Sequence, residues 1–415
     1  MRKTLFLLLG LLTWPAIAAE QTRIAANSIN ALGIDLLTKA TKPNQNALLS
    51  PYSIQAALAM TYAGADGITR SEMAQALHFP KDDVQLHDSF FSLNGQLNEI
   101  TDQSAKYVTQ IKKDGGLSTP ITISVANRLF GQTGYEFQSA FVSVLKDKYA
   151  APLEKVNFAK SPATATERIN QWVAKQTQKR INDVIPSGAL SALTRLVLIN
   201  VIYFRAPWSA EFDENATKPL DFHCGDGAKV KVPTMYQLHS FGYAKRKGYT
   251  VVTLPYRDPR LQLVILSPDA TNSLANLEKK LNAQLLAECS KVDSAEIKLY
   301  LPRFKFEPPS IALGQSLKAL GMMSAFDDNA NFSRMAKPNK QGALRVSEVF
   351  HKTFFSLNEH ETEAAAATAV SITLLGMHPV PEKPIEVKVD RPFLFAVQHR
   401  DSGSCLFLGR MVDPR

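Results

Sequence analysis

The sequence predicts a single domain of the α+β class, with helices concentrated in the first third of the chain and strands in the rest. Apolar residues recur with helical spacing near the N-terminus, where Ile29, Leu32 and Leu36 fall on one face. Further along, β-branched runs bounded by turn residues replace this spacing, as in "TPITISVANRLFG". The 415 residues contain no Gly/Ser-rich linker, internal repeat or break in composition, so we expect one domain rather than several.

The N-terminus has the features of a secretory signal peptide. The stretch "MRKTLFLLLGLLTWPAIAAEQ" has a basic start, an apolar run from Leu5 to Leu12 and a small-residue site at Ala16 to Ala18. We predict that residues 1–18 are removed, with cleavage after Ala19 as the alternative, so that residues 19–415 form the domain. An uncleaved anchor is less favoured because the apolar run is shorter than the roughly 20 residues that a span needs. No cysteine follows the cleavage site, which disfavours a lipoprotein, and the alanine-rich site is typical of bacteria, so we expect a periplasmic or secreted protein.

Helices are predicted through most of the first third. The segment "SPYSIQAALAMTYAG" begins with the serine and proline expected at a helix start. The pattern continues through "DGITRSEMAQALHF" and from Asp82 to Glu99. A later helix, "TATERINQWVAKQTQKRI", places Ile169, Trp172 and Val173 on one stripe.

Strands are predicted in the remainder. The run "TRLVLINVIYFRAPW" is nearly continuously apolar and rich in β-branched residues, which favours a strand buried on both faces. From Val232 to Leu266 strand-like runs alternate with polar turns, and a helical passage follows from Leu274 to Ala287. After "EIKLYLPRFKFE" and the helix "IALGQSLKALGM", two further strand-rich segments are "ALRVSEVFHKTFFSL" and "RPFLFAVQHRDSGSCLFLGRMV".

Charge and cysteine content exclude some classes of protein. The formal charge is +9, and loss of Arg2 and Lys3 with the signal peptide leaves about +7. The basic residues are dispersed with little aromatic interleaving, so nucleic-acid binding is weakly supported. Cys224, Cys289 and Cys405 are too few and too far apart for a disulfide scaffold or a zinc ribbon. An oxidising compartment permits one bridge of undetermined pairing, so at least one thiol stays free.

Catalytic and cofactor motifs are missing from the sequence. His360-Glu361 begins like a zinc-protease motif, but Ala364 stands where the second histidine is required. Ser402 in "RDSGSC" is not part of a G-x-S-x-G elbow, and a hairpin turn between two strands is the better interpretation. Phosphate-binding glycine motifs are absent, and the eight histidines show no metal-ligand spacing. We therefore expect no enzyme activity, no metal and no cofactor.

The stretch "NEHETEAAAATAVSITLLGMHPVPEKP" has an unusual composition. With a period of two, the even-numbered residues from Thr362 to Leu374 share one face and the odd-numbered residues from Glu363 to Thr373 share the other. Small side chains at its start suit a strand that enters a crowded space between existing strands, although alanines also favour helix. Pro379, Pro381 and Pro384 end the strand-forming capacity and extend the chain. An exposed low-complexity linker is the alternative.

The same stretch limits which proteases would cleave it. No Lys or Arg occurs from Thr353 to Glu382, so a trypsin-like pocket finds no basic residue there. Leu374, Leu375 and Met377 would fit a hydrophobic specificity pocket.

These residues resemble those of a serpin. The stretch "NEHETEAAAATA" is similar to the hinge of the reactive-centre loop in inhibitory serpins, a highly specific pattern. Eight further segments follow the family's order across essentially the whole mature chain: "NALLSPYSIQAALAM", "ISVANRLFG", "LINVIYFRAPW", "VPTM", "LPRFKFE", "VFHKTFFSLNE", "DRPFLF" and "LFLGRMVDP". The resemblance implies a serpin fold with three β-sheets, about nine helices and an exposed reactive-centre loop at about residues 359–384.

The resemblance also implies a function. A serpin of the inhibitory type is a suicide-substrate inhibitor of serine endopeptidases, and papain-like cysteine endopeptidases are left open as a second class of target for this protein. It traps the acyl-enzyme by inserting the cleaved loop into the central sheet. The expected targets have hydrophobic specificity, namely chymotrypsin-like, elastase-like or subtilisin-like enzymes, and the protein is expected to be a monomer.

Site residues are carried over by position. Counting seventeen residues from Glu359 places the reactive bond at Leu375-Gly376, with Leu374 and Met377 as alternatives. The hinge residues by resemblance are Glu359, His360, Glu361, Thr362, Glu363, Ala364, Ala365, Ala366, Ala367 and Thr368. The polar cluster called the shutter, which gates opening of the sheet in the family, corresponds to Ser50, Ser53, Asn200 and His351.

Two departures from the family pattern keep a second function open. Glu361 and Ala206 stand where glycine is usual, and a charged Glu361 would slow insertion unless it faces solvent. The alternative function is a non-inhibitory serpin that acts as a carrier or chaperone, whose loop is cleaved without trapping. A secreted hydrolase is a weaker alternative. A polyanion cofactor bound by Lys106, Lys112 and Lys113 is not favoured, because three lysines near a helix end are usually ordinary solvated surface residues.

Overall fold

The computed structural model describes residues 14–340, 342–362 and 383–415. Nine α-helices lie in these ranges: α1 Trp14–Lys39, α2 Pro51–Tyr62, α3 Gly67–Ala76, α4 Asp83–Lys113, α5 Ser139–Tyr149, α6 Pro162–Gln176, α7 Leu274–Lys280, α8 Ala283–Glu288 and α9 Gly314–Ala319. Six of them precede residue 180, which confirms the predicted concentration of helices early in the chain. No helix among the described residues has the length and apolar character needed to cross a membrane.

Seventeen strands are present in the same ranges: β1 Ala47–Leu49, β2 Thr122–Gln132, β3 Glu154–Val156, β4 Leu196–Pro207, β5 Lys218–His223, β6 Lys229–Arg246, β7 Tyr249–Pro255, β8 Leu261–Pro268, β9 Ser294–Pro302, β10 Phe304–Phe306, β11 Ile311–Ala312, β12 Val346–Thr353, β13 Phe355–Leu357, β14 Glu361–Thr362, β15 Ile385–Lys388, β16 Phe393–His399 and β17 Ser404–Met411. The predicted α+β class is therefore confirmed.

The strands form two hydrogen-bonded networks. The larger has the order β1-β17-β16-β8-β7-β6-β9-β15, with β5 also paired to β6. The long strand β6 belongs to two parts of this network, because it pairs with β5 and β9 from Lys229 to Gly242 and with β7 from Gly242 to Arg246. The second network is the central sheet, in which β4 pairs with β2 on one side and with β12 and β14 on the other. Counting the two parts of the first network separately gives the three sheets expected of the fold.

Strand β4 is buried on both faces, as its apolar sequence predicts. Its even-numbered apolar residues, such as Leu198 and Ile202, join the large core that also contains α1 and α2. Its odd-numbered residues, such as Val197 and Val201, pack in a second core against α6. The two faces of the central sheet are thus distinguished by residue parity along β4.

Three predicted helices have different limits in the structure. The helix predicted to end near Glu99 continues to Lys113. The helical passage from Leu274 to Ala287 is divided, because Leu281 is extended and the Asn282 side chain accepts a hydrogen bond from the Leu285 amide to begin α8. Ile311–Ala312 is a strand rather than part of a helix, since it pairs with β12 at the edge of the central sheet.

The turn predicted around Ser402 is confirmed. Strands β16 and β17 pair antiparallel on either side of it. Gly403 has a φ of 74°, a left-handed conformation that favours glycine.

Candidate functional site

The hinge enters the central sheet between β4 and β13. Lower in the sheet β4 and β12 pair directly and in parallel, from Leu196 to Ile202 on β4. Higher up, strand β14 lies between β4 and β13: it pairs antiparallel with β4 at Ala206 and Pro207, and with β13 at Leu357. We call this region, beside Tyr203 to Pro207 on β4, the upper cleft. Here the chain that leads into the loop has already begun a strand that runs down the sheet.

A tight turn at Asn358 directs the chain into the cleft. The Asn358 side-chain oxygen accepts hydrogen bonds from the backbone N–H groups of His360 (3.0 Å) and Glu361 (3.1 Å). Its backbone carbonyl accepts from the Trp208 indole at 2.8 Å, and the Trp208 ring stacks on Tyr256 with centroids 4.7 Å apart. The turn is therefore fixed to an aromatic pair at the top of the large core.

Glu359 is held by polar side chains from two other segments. Its carboxylate accepts from the Thr217 hydroxyl at 2.8 Å and lies 3.4 Å from the Arg303 guanidinium. The Glu359 carbonyl also accepts from the Phe212 N–H at 2.8 Å. Because Glu359 is only 3% exposed, loss of these partners would leave a buried charge unpaired.

His360 lies between two carboxylates. Its Nδ1 is 2.8 Å from Glu211 and its Nε2 is 2.7 Å from Glu214. Burial alone opposes a charge on the ring, but the hydrogen bonds to Glu211 and Glu214 outweigh it, and the pKa of His360 is raised. Protonation of His360 therefore strengthens this end of the hinge.

Glu361 does not face solvent. Its side chain is 1% exposed and its two oxygens lie 2.9 and 3.1 Å from the Arg205 Nε. The Thr119 hydroxyl donates to the same carboxylate at 3.2 Å. Burial raises the pKa of Glu361, while Asn358, Arg205 and Thr119 favour its charged form. Glu361 is therefore buried rather than exposed to solvent, and Arg205 compensates for the burial of its charge.

The four predicted shutter residues lie together beneath the cleft. His351 stands opposite Asn200 in the pairing of β12 with β4, and its Nδ1 is 2.5 Å from the Asn200 side-chain oxygen. Its Nε2 accepts from the Ser50 backbone N–H at 3.1 Å. Since a backbone N–H can only donate, Nε2 is unprotonated and the ring is neutral. Burial lowers the pKa of His351 to about 4.

Asn127 is a member of this cluster that the sequence analysis missed. Its side-chain oxygen accepts from the Ser53 hydroxyl at 2.8 Å and from the Asn200 amide at 3.0 Å. Its amide donates to the Ser53 carbonyl at 3.1 Å. It thereby connects α2, β2 and β4. An asparagine within the apolar run "ISVANRLFG" was the available signal, because a buried amide needs polar partners.

The remaining predicted hinge residues, from Glu363 to Thr368, lie outside the described residues. The same holds for the reactive bond at Leu375-Gly376 and its alternatives Leu374 and Met377. These assignments stay predictions.

A serine–histidine pair elsewhere does not form an accessible catalytic site. His399 Nδ1 lies 2.9 Å from the Ser402 hydroxyl, which in turn donates to Ser404. His399 is 0% and Ser402 5% exposed, so a substrate carbonyl cannot approach them. Among the described residues no cluster of three or more His, Cys, Asp or Glu side chains could hold a metal ion.

The other candidate groups have structural surroundings. Cys224, Cys289 and Cys405 are all buried free thiols, and burial raises the pKa of Cys289 to about 12. Lys112 and Lys113 lie in the last turn of α4 and are exposed, consistent with ordinary surface lysines.

The central sheet, its upper cleft and the hinge define the class of protein. The chain matches the family model described as "Serpin (serine protease inhibitor)" over residues 27–414. It is 36% identical to the leukocyte elastase inhibitor of Bos taurus, over 94% of this chain and 99% of that protein. It is 34% identical to an uncharacterized serpin-like protein of Thermococcus kodakarensis, over 95% of this chain and 87% of that one.

Solved structures give the same result. The thermophilic serpin tengpin in its native state has a TM-score of 0.79 and 26% identity, with 94% of each chain covered. Uncleaved ovalbumin has a TM-score of 0.78 and 26% identity, over 94% of this chain and 100% of that one. The chain belongs to the serpin family, whose members are protease inhibitors rather than enzymes.

Proposed function

We propose that the protein is a suicide-substrate inhibitor of serine endopeptidases with hydrophobic specificity. A protease attacks the loop and forms an acyl-enzyme, and the cleaved loop then inserts between β4 and β12 before the ester is hydrolysed. The observation that carries this proposal is strand β14, in which Glu361 and Thr362 are already paired antiparallel with β4 at the mouth of the cleft. Papain-like cysteine endopeptidases, which also form acyl-enzymes, are a second class of target.

The existing register predicts how the inserted strand would pair. Thr362 lies opposite Ala206, so continuing the same register brings Ala364 opposite Phe204, Ala366 opposite Ile202 and Thr368 opposite Asn200. Directly opposed residues share a face of the sheet, so these even-numbered residues would face the large core. The alanines would therefore occupy a space already lined by bulky β4 side chains.

Insertion requires the direct contact between β4 and β12 to separate. Their pairing includes His351 opposite Asn200, so the strands would part at the shutter. Each inserted residue would replace one parallel pairing by antiparallel pairings on both sides, which adds backbone hydrogen bonds to the sheet. Loop insertion is thus expected to stabilise the protein, and the uncleaved form is metastable.

The length of the loop is sufficient to move a protease far from its starting position. Sixteen residue steps separate Glu359 from Leu375, and at about 3.3 Å each they span about 50 Å. Displacement over that distance would pull the protease against the body of the inhibitor and separate its nucleophile from its histidine. Hydrolysis of the acyl-enzyme would then stop.

The expected target is an elastase-like, chymotrypsin-like or subtilisin-like enzyme. Leu375, with Leu374 and Met377 as alternatives, offers an apolar side chain to the specificity pocket. Support comes from similar proteins named leukocyte elastase inhibitors in Bos taurus and Homo sapiens. We further propose that the protein acts as a monomer in the periplasm or outside the cell, after removal of residues 1–18.

The function is tested by incubating the mature protein with chymotrypsin, neutrophil elastase and subtilisin. We expect a complex that survives denaturing electrophoresis and a released peptide whose mass begins at Gly376. The matched control is Thr362→Arg, because Ala206, the residue paired with position 362, is fully buried and an inserted strand carrying Arg there would bury a charge. This variant should be cleaved at the same bond without forming the complex.

The competing function is a carrier or chaperone whose loop is cleaved without trapping. The charge at Glu361 favours this function, because a buried charge would hinder insertion. Arg205 already compensates that charge, however, while Glu361 is paired with β4. Cleavage of the wild-type loop with full protease activity retained would favour this second function.

A further inference from the structure

Arg205 lies at the point where the loop would begin to enter the sheet. It belongs to β4, between Phe204 and Ala206, and as an odd-numbered residue it lies on the α6 side of the sheet. Its side chain is 20% exposed and contacts the carboxylate of Glu361. Glu361 stands opposite Pro207, two residues from Arg205, which is the diagonal position on the same face.

The Arg205 guanidinium is directed at Glu361. Its Nε donates to both oxygens of Glu361, at 2.9 and 3.1 Å, and its Nη2 lies 2.9 Å from Oε1. Because Glu361 is buried, this ion pair is what keeps its charge compensated.

The same contact holds the hinge in its strand register. Glu361 stands opposite Pro207 and Thr362 opposite Ala206, and Thr362 also lies opposite Leu357 of β13. Arg205 therefore fixes the side chain of the residue that begins the strand between β4 and β13.

We propose that Arg205 is a positioning residue that sets the register of loop insertion. It holds the Glu361 carboxylate before cleavage, so that the hinge stays in the β4 register from which insertion proceeds. The inference rests on the proposed function, since it concerns the same loop and the same cleft. The glutamate at position 361 is then part of a guiding pair, rather than an obstacle to insertion.

The direction of the effect follows from the competition between two fates of the acyl-enzyme. Insertion traps the protease, and hydrolysis releases it together with cleaved inhibitor. A hinge already held in register has completed the first step of insertion, so loss of Arg205 slows insertion and leaves the initial cleavage unchanged. A larger fraction of the acyl-enzyme is then hydrolysed to active protease and cleaved inhibitor.

The test measures the ratio of trapped complex to cleaved inhibitor, using chymotrypsin as the probe, together with the rate of loop cleavage. We expect Arg205→Gln and Glu361→Gln to lower the ratio about tenfold, which corresponds to about 1.4 kcal/mol in activation free energy, at an unchanged cleavage rate. The double variant Arg205→Gln/Glu361→Gln should lower the ratio no further than either single variant, because both changes remove the same ion pair. Arg205→Lys should recover part of the ratio, because lysine keeps the charge but lacks the fork of donors.

The matched control removes an arginine–carboxylate pair far from the cleft. Arg334 Nη2 lies 3.0 Å from Asp66, with both side chains largely exposed, and Arg334→Gln should leave the ratio unchanged. If Arg205→Gln lowers the melting temperature but not the ratio, Arg205 is only a structural brace and the inference is overturned. A double variant whose ratio falls by the product of the two single effects overturns the same inference.

Failure of the proposed function would look different. In that case wild-type protein gives neither a stable complex nor a rise in melting temperature after loop cleavage, and all variants behave alike. That outcome overturns the proposed function and with it the role of Arg205. If wild type inserts its cleaved loop without trapping the protease, the readout becomes the rate at which the melting temperature rises after cleavage. This rate should be lower in Arg205→Gln and Glu361→Gln than in wild type, with Arg205→Lys between them.

Discussion

At the scale of single residues, two histidines of the site have pKa values shifted in opposite directions. His351 is buried without a charged partner and stays neutral. His360 is bonded to two glutamates and its charged form is favoured. Lowering the pH should therefore destabilise the shutter and stabilise the hinge.

Acid should destabilise the uncleaved protein through His351. Its pKa is about 4 in the folded state against an ordinary value of 6.5, so its contribution is complete above pH 6.5. That contribution is lost as the pH falls from 6.5 towards 4, by up to about 1.4 kcal/mol per pH unit. Burial also lowers the pKa values of His87 and His399 to about 4.

The check is the pH dependence of thermal unfolding from pH 7.5 to 4.5, at one scan rate, for wild type and His351→Gln. We expect the variant to have a shallower slope, because one of three buried histidines no longer titrates. Equal slopes for the two proteins would contradict the neutral, buried state of His351.

Rising pH should loosen the hinge through His360. Its raised pKa means that its contribution is complete below 6.5 and is lost as the pH rises through the folded-state value. Trp208 reports this change, because its backbone N–H donates to the His360 carbonyl at 3.0 Å. In a Trp172→Phe background, acrylamide quenching of Trp208 should increase from pH 6 to 8.5 in wild type and stay flat in His360→Asn. Parallel quenching curves for both would argue against this role.

At the scale of elements, the shutter connects α2, β2 and β4 beneath the cleft where β4 and β12 must separate for insertion. Asn127→Ala would leave the Ser53 hydroxyl and the Asn200 amide without a shared acceptor, at a cost of about 1–3 kcal/mol. We expect a lower urea midpoint and a faster loss of inhibitory activity on storage. The exposed Asn276 on α7 provides the control, since Asn276→Ala should change neither quantity. An Asn127→Ala protein as stable as wild type would contradict the connection.

The sequence predicts long elements better than short ones. Strand β4 is apolar on both faces over most of its twelve residues, so its burial follows from composition. Strand β14, described at Glu361 and Thr362, is formed because β4 and β13 flank it. No local pattern contains that information. For the same reason Ile311–Ala312 is predicted as helix but pairs with β12.

The candidate site is divided in the same way. The shutter and hinge positions follow from motif resemblance, whereas their partners come from remote parts of the chain. Arg205 is 156 residues from Glu361 and Arg303 is 56 residues from Glu359. Sequence alone raises the question of the charge at position 361, and only the packing of Arg205 against it supplies an answer.

At the scale of the whole molecule, the account requires an uncleaved protein that is not in its most stable form. From Leu196 to Ile202, β4 is paired directly with β12, where the loop could supply a further strand between them. Insertion would add backbone pairs on both sides of the new strand. Cleavage of the loop, which normally weakens a protein, is therefore expected to strengthen this one.

The most direct measurement is the melting temperature of the mature protein before and after cleavage within the loop by chymotrypsin, with the cleavage position checked by mass. The account predicts a rise of roughly 10 °C or more on cleavage, since several kcal/mol of new pairing would be gained. Thr362→Arg, cleaved at the same bond, should rise much less. A wild-type melting temperature that is unchanged or lower after cleavage would contradict insertion of the loop into the sheet.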